Sequence, residues 1–336
     1  MREWADGEAW DAFVDSVADA TIAHRWAWRE VMTRAYALRS FSLAAVGAGR
    51  IRGVLPLVLV RSRLFGRRLV SMPFLDTGGL CTGGDVEAAD ALLQSAMAIA
   101  AEHRVGLELR HAGDRPLGLP TSLEKITMVL PLENDRDAQL RALPAERRNR
   151  IRRGHRLGVS AAIHDGGALE DFYRVQSRTM RDLGSPVHGR RFFDQVLGCL
   201  GERAQILLVR HEGAVIGAAI ALVHGDTMSI PWVSSLREHF DKCPNQVLYW
   251  TAMCHAIERG LRALDFGRSS RDSGTYEAKR QWGARPAQLY WHYHPAHAGP
   301  AAHDVSRFSW ATRGWRRLPL PVTNVLGPRL RARIPN

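Results

Sequence analysis

Short apolar runs alternate along this chain with stretches of helical spacing. Val54-Leu-Pro-Leu-Val-Leu-Val60 is a bounded apolar run and predicts a strand over 51–60, preceded by another over 41–47. Pro56 inside the run predicts an edge strand or a bulge, because proline gives no N–H to a ladder. Helices are predicted over 8–19 and 26–37, and over 85–103, where alanines and leucines recur at helical spacing. Val70-Ser-Met-Pro-Phe74 reads as a short strand running into the turn Asp76-Thr-Gly-Gly79, and 105–110 and 125–132 read as further strands.

The second half alternates more cleanly. Pro144 suits a first helical turn, with Glu146 as an early acid, so 144–156 reads as the helix that opens a second lobe. A strand (159–163), helices (169–183 and 191–200) and three strands (206–210, 214–223 and 227–233) follow, with His211-Glu-Gly213 as a hairpin turn. Then come a helix over 245–259, with Asn245 as N-cap and Gly260 past its end, the strand Leu264-Asp-Phe266, a short helix over 276–281, and a last strand over 287–293. This order is that of a GNAT lobe, and the expected fold class is α/β (α+β).

Composition narrows the picture. A chain of 336 residues, 46% hydrophobic, can bury two ordinary cores. The net charge of +12 favours anionic partners: nucleic acid, nucleotide-linked or lipid-linked substrates, or a membrane surface. Of the 46 basic residues 43 are Arg, which codon bias explains, and the three lysines Lys125, Lys242 and Lys279 stand out against that background. The four cysteines form no C-x-x-C pair, which argues against structural zinc and a disulfide framework. The N-terminus lacks a signal-peptide pattern, and the longest apolar run, 53–60, is too short to cross a bilayer. A cytoplasmic protein, either free or peripheral to the inner membrane, is the expectation.

Candidate chemistry concentrates in 265–283. A strand ending at Phe266-Gly267 leads through Arg268-Ser-Ser-Arg-Asp-Ser-Gly274 into a helix start, whose free N–H groups could hold an anion or a developing oxyanion. Tyr276 and Lys279, three apart, share a helix face, and a phenol beside an ammonium suits acyl transfer. The same spacing also fits a capped surface helix with a solvated Lys. Residues 147–156 hold six Arg and no acid: either a phosphate grip through Arg150 and Arg152, or a solvated basic face. His188 is the one histidine placed near the expected site, and no metal-ligand spacing appears.

At these residues the chain resembles the FemAB-type peptidyltransferases, and more narrowly the FemAB-related proteins associated with exosortase (PEP-CTERM) systems. The matching pieces are Asp265-Phe-Gly-Arg-Ser269, Gly274-Thr-Tyr276 and Ala278-Lys-Arg-Gln-Trp-Gly283, with Ala278 where that family usually has Phe. Further matches are Leu183-Gly-Ser-Pro-Val187, the helix bearing Asn149 and Arg150, Ser71-Met-Pro-Phe74 with Gly78-Gly79, and Leu318-Pro-Leu-Pro-Val322 with Leu326-Gly-Pro328.

The resemblance implies two GNAT-like lobes, each a mixed, largely antiparallel sheet flanked by helices. The expected division is 1–143, 144–300, and a basic tail over 301–336. This tail either packs back on the first lobe or lies on an anionic membrane. The implied activity is acyl or aminoacyl transfer to an amine on a cell-envelope or exopolysaccharide-related acceptor, bound between or beside the lobes. Lys279 would stabilise the oxyanion and Tyr276 would position the acyl group or pass a proton. Asp265, Arg268, Ser269, Gly274, Asn149, Arg150, Arg152, His188 and Trp282 would bind substrate. The donor is expected to be aminoacyl-tRNA or acyl-CoA, with no tightly bound cofactor and no metal. No Arg/Gln-x-x-Gly-x-Gly/Ala window completes the usual CoA diphosphate signature, which weakens the alternative of an acyl-CoA N-acyltransferase. A further alternative is a non-catalytic scaffold in an exopolysaccharide locus.

Overall fold

The apolar runs of the first 125 residues are laid side by side in one sheet. The computed structural model describes residues 2–62, 66–295 and 309–334. The first strands are β1 (Arg2–Glu3), β2 (Arg39–Gly47), β3 (Arg50–Ser62), β4 (Gly66–Val70), β5 (Gly106–His111) and β6 (Thr121–Ser122). Among them lie α1 (Gly7–Ser16), α2 (Ala27–Tyr36) and α3 (Val86–Glu102). Strands β2, β3 and β4 form an antiparallel meander, and β4 then pairs with β5 in parallel, with α3 as the crossover. Leu55, Leu57 and Leu59 of β3 pack in one cluster with Leu92 and Ala96 of α3.

The chain continues as β7 (Lys125–Pro131), α4 (Arg136–Ala142), α5 (Ala145–Arg156), β8 (Ser160–His164), α6 (Leu169–Leu183) and α7 (Arg190–Leu200). It goes on with β9 (Ala204–His211), β10 (Ala214–His224), β11 (Thr227–Ser235), α8 (Pro244–Glu258), β12 (Ala263–Ser270), α9 (Gly274–Arg280) and β13 (Arg285–Gln288). The last elements are β14 (Tyr290–His294), α10 (Ser309–Arg317) and α11 (Leu320–Arg331). The second sheet runs β13-β7-β12-β11-β10-β9-β8, and its β11–β12 pair is parallel across α8. Ile151 of α5 and Val247 and Leu248 of α8 cover one face together with Leu207, Val209 and Ala219. Helices α6 and α7 cover the other, where Phe192 and Phe193 meet Trp232.

Two mixed sheets flanked by helices are the architecture expected, but the allotment of strands differs. β7, expected to close the first lobe, belongs to the second sheet, and β14, expected to close the second lobe, sits in the first sheet between β5 and β6. The first unit takes the chain through Lys125, the stretch beginning at Gln288, and the end from Arg329. The second takes Ile126–Ala287 and the tail helices up to Pro328. Apolar spacing predicts a strand without saying which sheet has an edge for it. Most of the tail also departs from expectation: α10 packs on α6, with Thr312 and Arg316 against Gly184, and Gly327 lies on Val187, all within the second unit.

Other boundaries move for local reasons. Met72 and Phe74 have φ of 50° and 70°, so the expected strand over 70–74 is instead the start of a loop after β4. Pro56 pairs with Ser42 on one side. On its other side it falls between the Val54–Cys81 bridge and the β4 ladder, which begins at Val58, so the missing N–H has no partner to disappoint. Helix α8 starts at Pro244 behind Cys243, one residue before the Asn245 cap expected from the sequence.

Candidate active site

β11 carries an extra residue. Its partner β10 advances from Ile220 to Leu222 while β11 retreats from Trp232 to Ser229, which places a bulge at Ile230-Pro231. The parallel ladder to β12 ends at the same level: Thr227, Met228 and Ser229 pair with Ala263, Leu264 and Asp265, and pairing then stops. β11 nevertheless runs on to Ser235 and β12 to Ser270. The bulge turns Trp232 and Ser234 toward the α6/α7 face, where Ser234 Oγ donates to Gln176 Oε1 at 2.5 Å. It turns Ser235 toward α8, where Ser235 Oγ and Asn245 Oδ1 lie 2.7 Å apart.

The β12 side of this gap is built from the 265–283 motif. The Asp265 carboxylate accepts from the Gly267 N–H at 2.8 Å and from Thr127 Oγ1. It thereby fixes the turn at Gly267, whose φ of 76° is open to glycine at little cost. A side chain there would point at Ile230 O and Pro231 Cα, at 3.7 and 3.9 Å. Arg268-Ser-Ser270, expected as a loop, continues β12 past this kink. Ser269 is buried, and among the described residues its Oγ has no hydrogen-bond partner. Lys279 Nζ donates to the Gly267 and Arg268 carbonyls, at 2.8 Å each, so the ammonium clamps the kinked strand.

Helix α9 begins behind Ser273, whose Oγ accepts from the Tyr276 N–H at 3.2 Å and donates to Ser270 O at 2.7 Å. Gly274 is exposed in its first turn, while Tyr276 and the buried Trp282 pack on the α5/α8 core. Phe266, Trp282 and Tyr249 of α8 form an aromatic trio, with centroids 4.8 Å (Tyr249–Phe266) and 5.5 Å (Tyr249–Trp282) apart. Burial pushes the Tyr249 phenol up to about 12. Sequence reasoning missed Tyr249 and Trp232. Pro231, a proline inside an apolar run, was the available signal for the second.

The remaining expected residues are not gathered around Lys279. His188 is buried at 4% exposure on the α6/α7 face, its ring stacked 4.2 Å from Phe192 and edge-on to Trp232. It therefore borders β11, whereas Lys279 borders β12. On α5, Asn149, Arg150 and Arg152 are exposed, and Arg150 pairs with Glu146 at 3.1 Å. The buried arginine is Arg147, which sequence reasoning passed over. It donates to Gln281 Oε1 at 2.6 Å and lies over Trp282, tying α5 to the end of α9.

The helix following the bulged strand is poorly equipped for a diphosphate. Pro244 removes an N–H from its first turn, and the Gln246 and Val247 N–H groups bond to Cys243 O. A Cβ on Gly154 of α5 would come within 2.6 Å of Val247 Cγ2 and 3.3 Å of Lys242 O, so α5 lies directly against this end. Among the described residues no group of side chains could hold a metal ion.

Residues 145–280 match the family model described as an acetyltransferase (GNAT) domain. No curated protein matches the chain in sequence. Among solved structures, one described as FemX aligns over 87% of this chain and 97% of its own, at 17% identity and a TM-score of 0.69. The C-terminal domain (DUF2156) of a putative lysylphosphatidylglycerol synthetase from Agrobacterium fabrum aligns over 90% and 96%, at 13% identity and a TM-score of 0.60. A tandem GNAT protein from the clavulanic acid biosynthesis pathway aligns over 88% and 97%, at 16% identity and a TM-score of 0.53. These likenesses show a two-lobed, tandem GNAT fold, and the match over residues 145–280 supports an acyltransferase. GNAT domains take acyl-CoA as donor.

Proposed function

We propose that the second lobe transfers an acyl or aminoacyl group to a substrate amine, with the reacting carbonyl held in the gap between β11 and β12. The observation that carries this reading is Ser269, a buried hydroxyl without a partner among the described residues, on a strand whose ladder has just ended. Buried polar groups are rarely left unpaired, and a substrate amide or carbonyl is a natural partner. The amine nitrogen bonds to the carbonyl carbon, negative charge collects on the carbonyl oxygen, and the bond to the carrier's oxygen or sulfur breaks. Lys279 sets the kinked backbone and puts a positive charge beside the gap, which favours that oxyanion. Tyr276 passes a proton to the leaving group and regains one from the amine nitrogen, which sheds it as the amide forms. Arg268 and the exposed arginines of α5 orient anionic parts of the substrates.

On the donor, the first turn of α8 argues against a diphosphate carrier, so the reading proposed is aminoacyl-tRNA, for whose phosphates Arg150, Arg152 and Asn149 offer exposed groups. The second reading, acyl-CoA, is favoured by the match over 145–280. The acceptor is an amine of a cell-envelope or exopolysaccharide precursor, anionic or lipid-linked, in keeping with the resemblance to the exosortase-linked branch. The acid-free tail helices, with Trp310 70% exposed, suit a place at the membrane surface. Calorimetric titration with CoA and with acetyl-CoA separates the donors: no saturable heat is expected, and a Kd in the low micromolar range or tighter would overturn the tRNA reading.

A further inference from the structure

One short stretch of the second lobe, 183–189, holds both tail helices. Thr312 and Arg316 of α10 lie against Gly184, and Arg316 Nη2 donates to Leu183 O at 3.3 Å. On α11, a Cβ at Gly327 would meet Val187 N at 3.2 Å and Val187 O at 3.3 Å, so the helix backbone rests directly on that of the stretch. Pro328 packs on Gly189, and Thr323 is buried. These anchors fix which faces the helices turn outward, and those faces are not purely polar. Val322, Val325 and Leu326 of α11 are spaced i, i+3 and i+4, so they share a face, and they are 38%, 57% and 40% exposed. On α10 the exposed Trp310, Arg313 and Arg317 share a face at i, i+3 and i+7. Single exposed apolar residues are ordinary on a protein surface, but a row at helical spacing on an anchored helix marks an interaction face.

Charge decides what covers these faces. Residues 305–336 carry seven Arg and no acid. The supporting stretch 183–189 holds no acid either, and Asp182 before it is paired with Arg181 at 2.7 Å. A second copy of the chain would bring the same acid-free face, and like charges would oppose the pairing. A nucleic acid would suit the arginines and offer bases to stack on Trp310, but it has nothing for a row of aliphatic side chains. An anionic bilayer suits all three kinds of group. Aliphatic side chains enter the acyl boundary, a tryptophan sits at headgroup level, and guanidinium groups meet the lipid phosphates. We infer that the open faces of α10 and α11 are a docking surface for an anionic lipid bilayer, with Val322, Val325 and Leu326 inserted and Trp310, Arg313 and Arg317 among the headgroups. The second lobe is thus the part that the bilayer holds. This surface rests on the membrane place proposed above for the tail, and the transfer chemistry does not enter it.

The test mixes the full chain with vesicles of phosphatidylcholine, with and without phosphatidylglycerol, and reads the bound fraction by flotation. Binding is expected to the phosphatidylglycerol vesicles alone, and it should weaken as salt is added. A basic side chain near an anionic surface is worth about fivefold in partition, so Arg313→Gln with Arg317→Gln should lower binding roughly thirtyfold. Val325→Ser with Leu326→Ser should lower it roughly tenfold. All four positions are exposed, so circular dichroism and the thermal midpoint should stay at wild-type values. Lipid with bromine-labelled acyl chains reads the wild-type chain directly: it should quench tryptophan emission, and Trp310→Phe should remove most of that quenching. Absence of binding, equal binding to both kinds of vesicle, or binding that the Val325 and Leu326 substitutions leave unchanged overturns the inference. So does self-association that those two substitutions abolish, which would give the face to a second copy. The titration with CoA is run without lipid, so the docking surface and the transfer reading can each fail while the other stands.

Discussion

Each lobe contains one parallel strand pair joined by a helical crossover, β4–α3–β5 in the first and β11–α8–β12 in the second, and the two pairs end in opposite ways. In the first, the chain after β4 folds back and uses up the edge of β5. The Ser71 N–H donates to Glu108 O at 2.9 Å, Ser71 Oγ accepts from the Arg110 N–H at 2.8 Å, and the Gly79 N–H donates to Arg110 O at 2.7 Å. In the second, pairing ends at the bulge at Ile230-Pro231, and the buried Ser269 hydroxyl has no partner among the described residues. One architecture therefore yields a sealed pair and an open one. Backbone bonding after the parallel ladder decides which lobe keeps the open place proposed above for the reacting carbonyl.

Three measurements press on this contrast. The largest effect is expected at the open pair: Lys279→Met should lower kcat on the order of a hundred- to thousandfold with little change in KM. Circular dichroism should show the fold retained, and a variant with near wild-type turnover would remove Lys279 from the mechanism. The next concerns the sealed pair. Burial lowers the His24 pKa from 6.5 to about 4, so as pH falls the unfolded chain takes up the proton first. Stability from this group is complete above the ordinary histidine range and drains away as pH falls from about 6.5 toward 4. Between pH 7 and 5 the His24 share of the loss should be about 2 kcal/mol, read by chemical denaturation as the amount by which His24→Gln makes the pH profile shallower. A profile unchanged in that variant would assign the loss elsewhere. The smallest effect is expected for Gly267→Ala. Its Cβ meets only ordinary contacts, so the cost is the positive φ, about 1 kcal/mol. Activity should fall out of proportion to stability if the kink shapes the gap, and in proportion if it does not.

The sequence pattern made most elements legible, because apolar periodicity reports burial and burial is local to a strand or helix. It singled out 265–283 as the candidate for chemistry, and the structure gathers Asp265, Gly267, Ser269 and Lys279 around one kink in β12. What stayed hidden depends on pairing. Nothing in 125–131 or 290–294 says which sheet has an edge for it, so the lobe boundaries shifted. The gap itself arises from a register change against β10, and its one local sign, Pro231, reads like any proline in an apolar run. Arg147 was obscured by its neighbours: six arginines in ten residues look like one surface, yet this one turns inward to Gln281 and Trp282.

The placing of β14 between β5 and β6 has a consequence for how the molecule is made. On a ribosome, β5 emerges with Leu107 and Leu109 about 180 residues before Tyr290–His294 arrives to pair with it. Throughout that interval the nascent first lobe presents an unpaired apolar edge, the kind of surface that chaperones hold and that neighbouring chains can join. The two lobes therefore cannot be completed one after the other, and a chain cut after the second sheet would leave the first one unfinished.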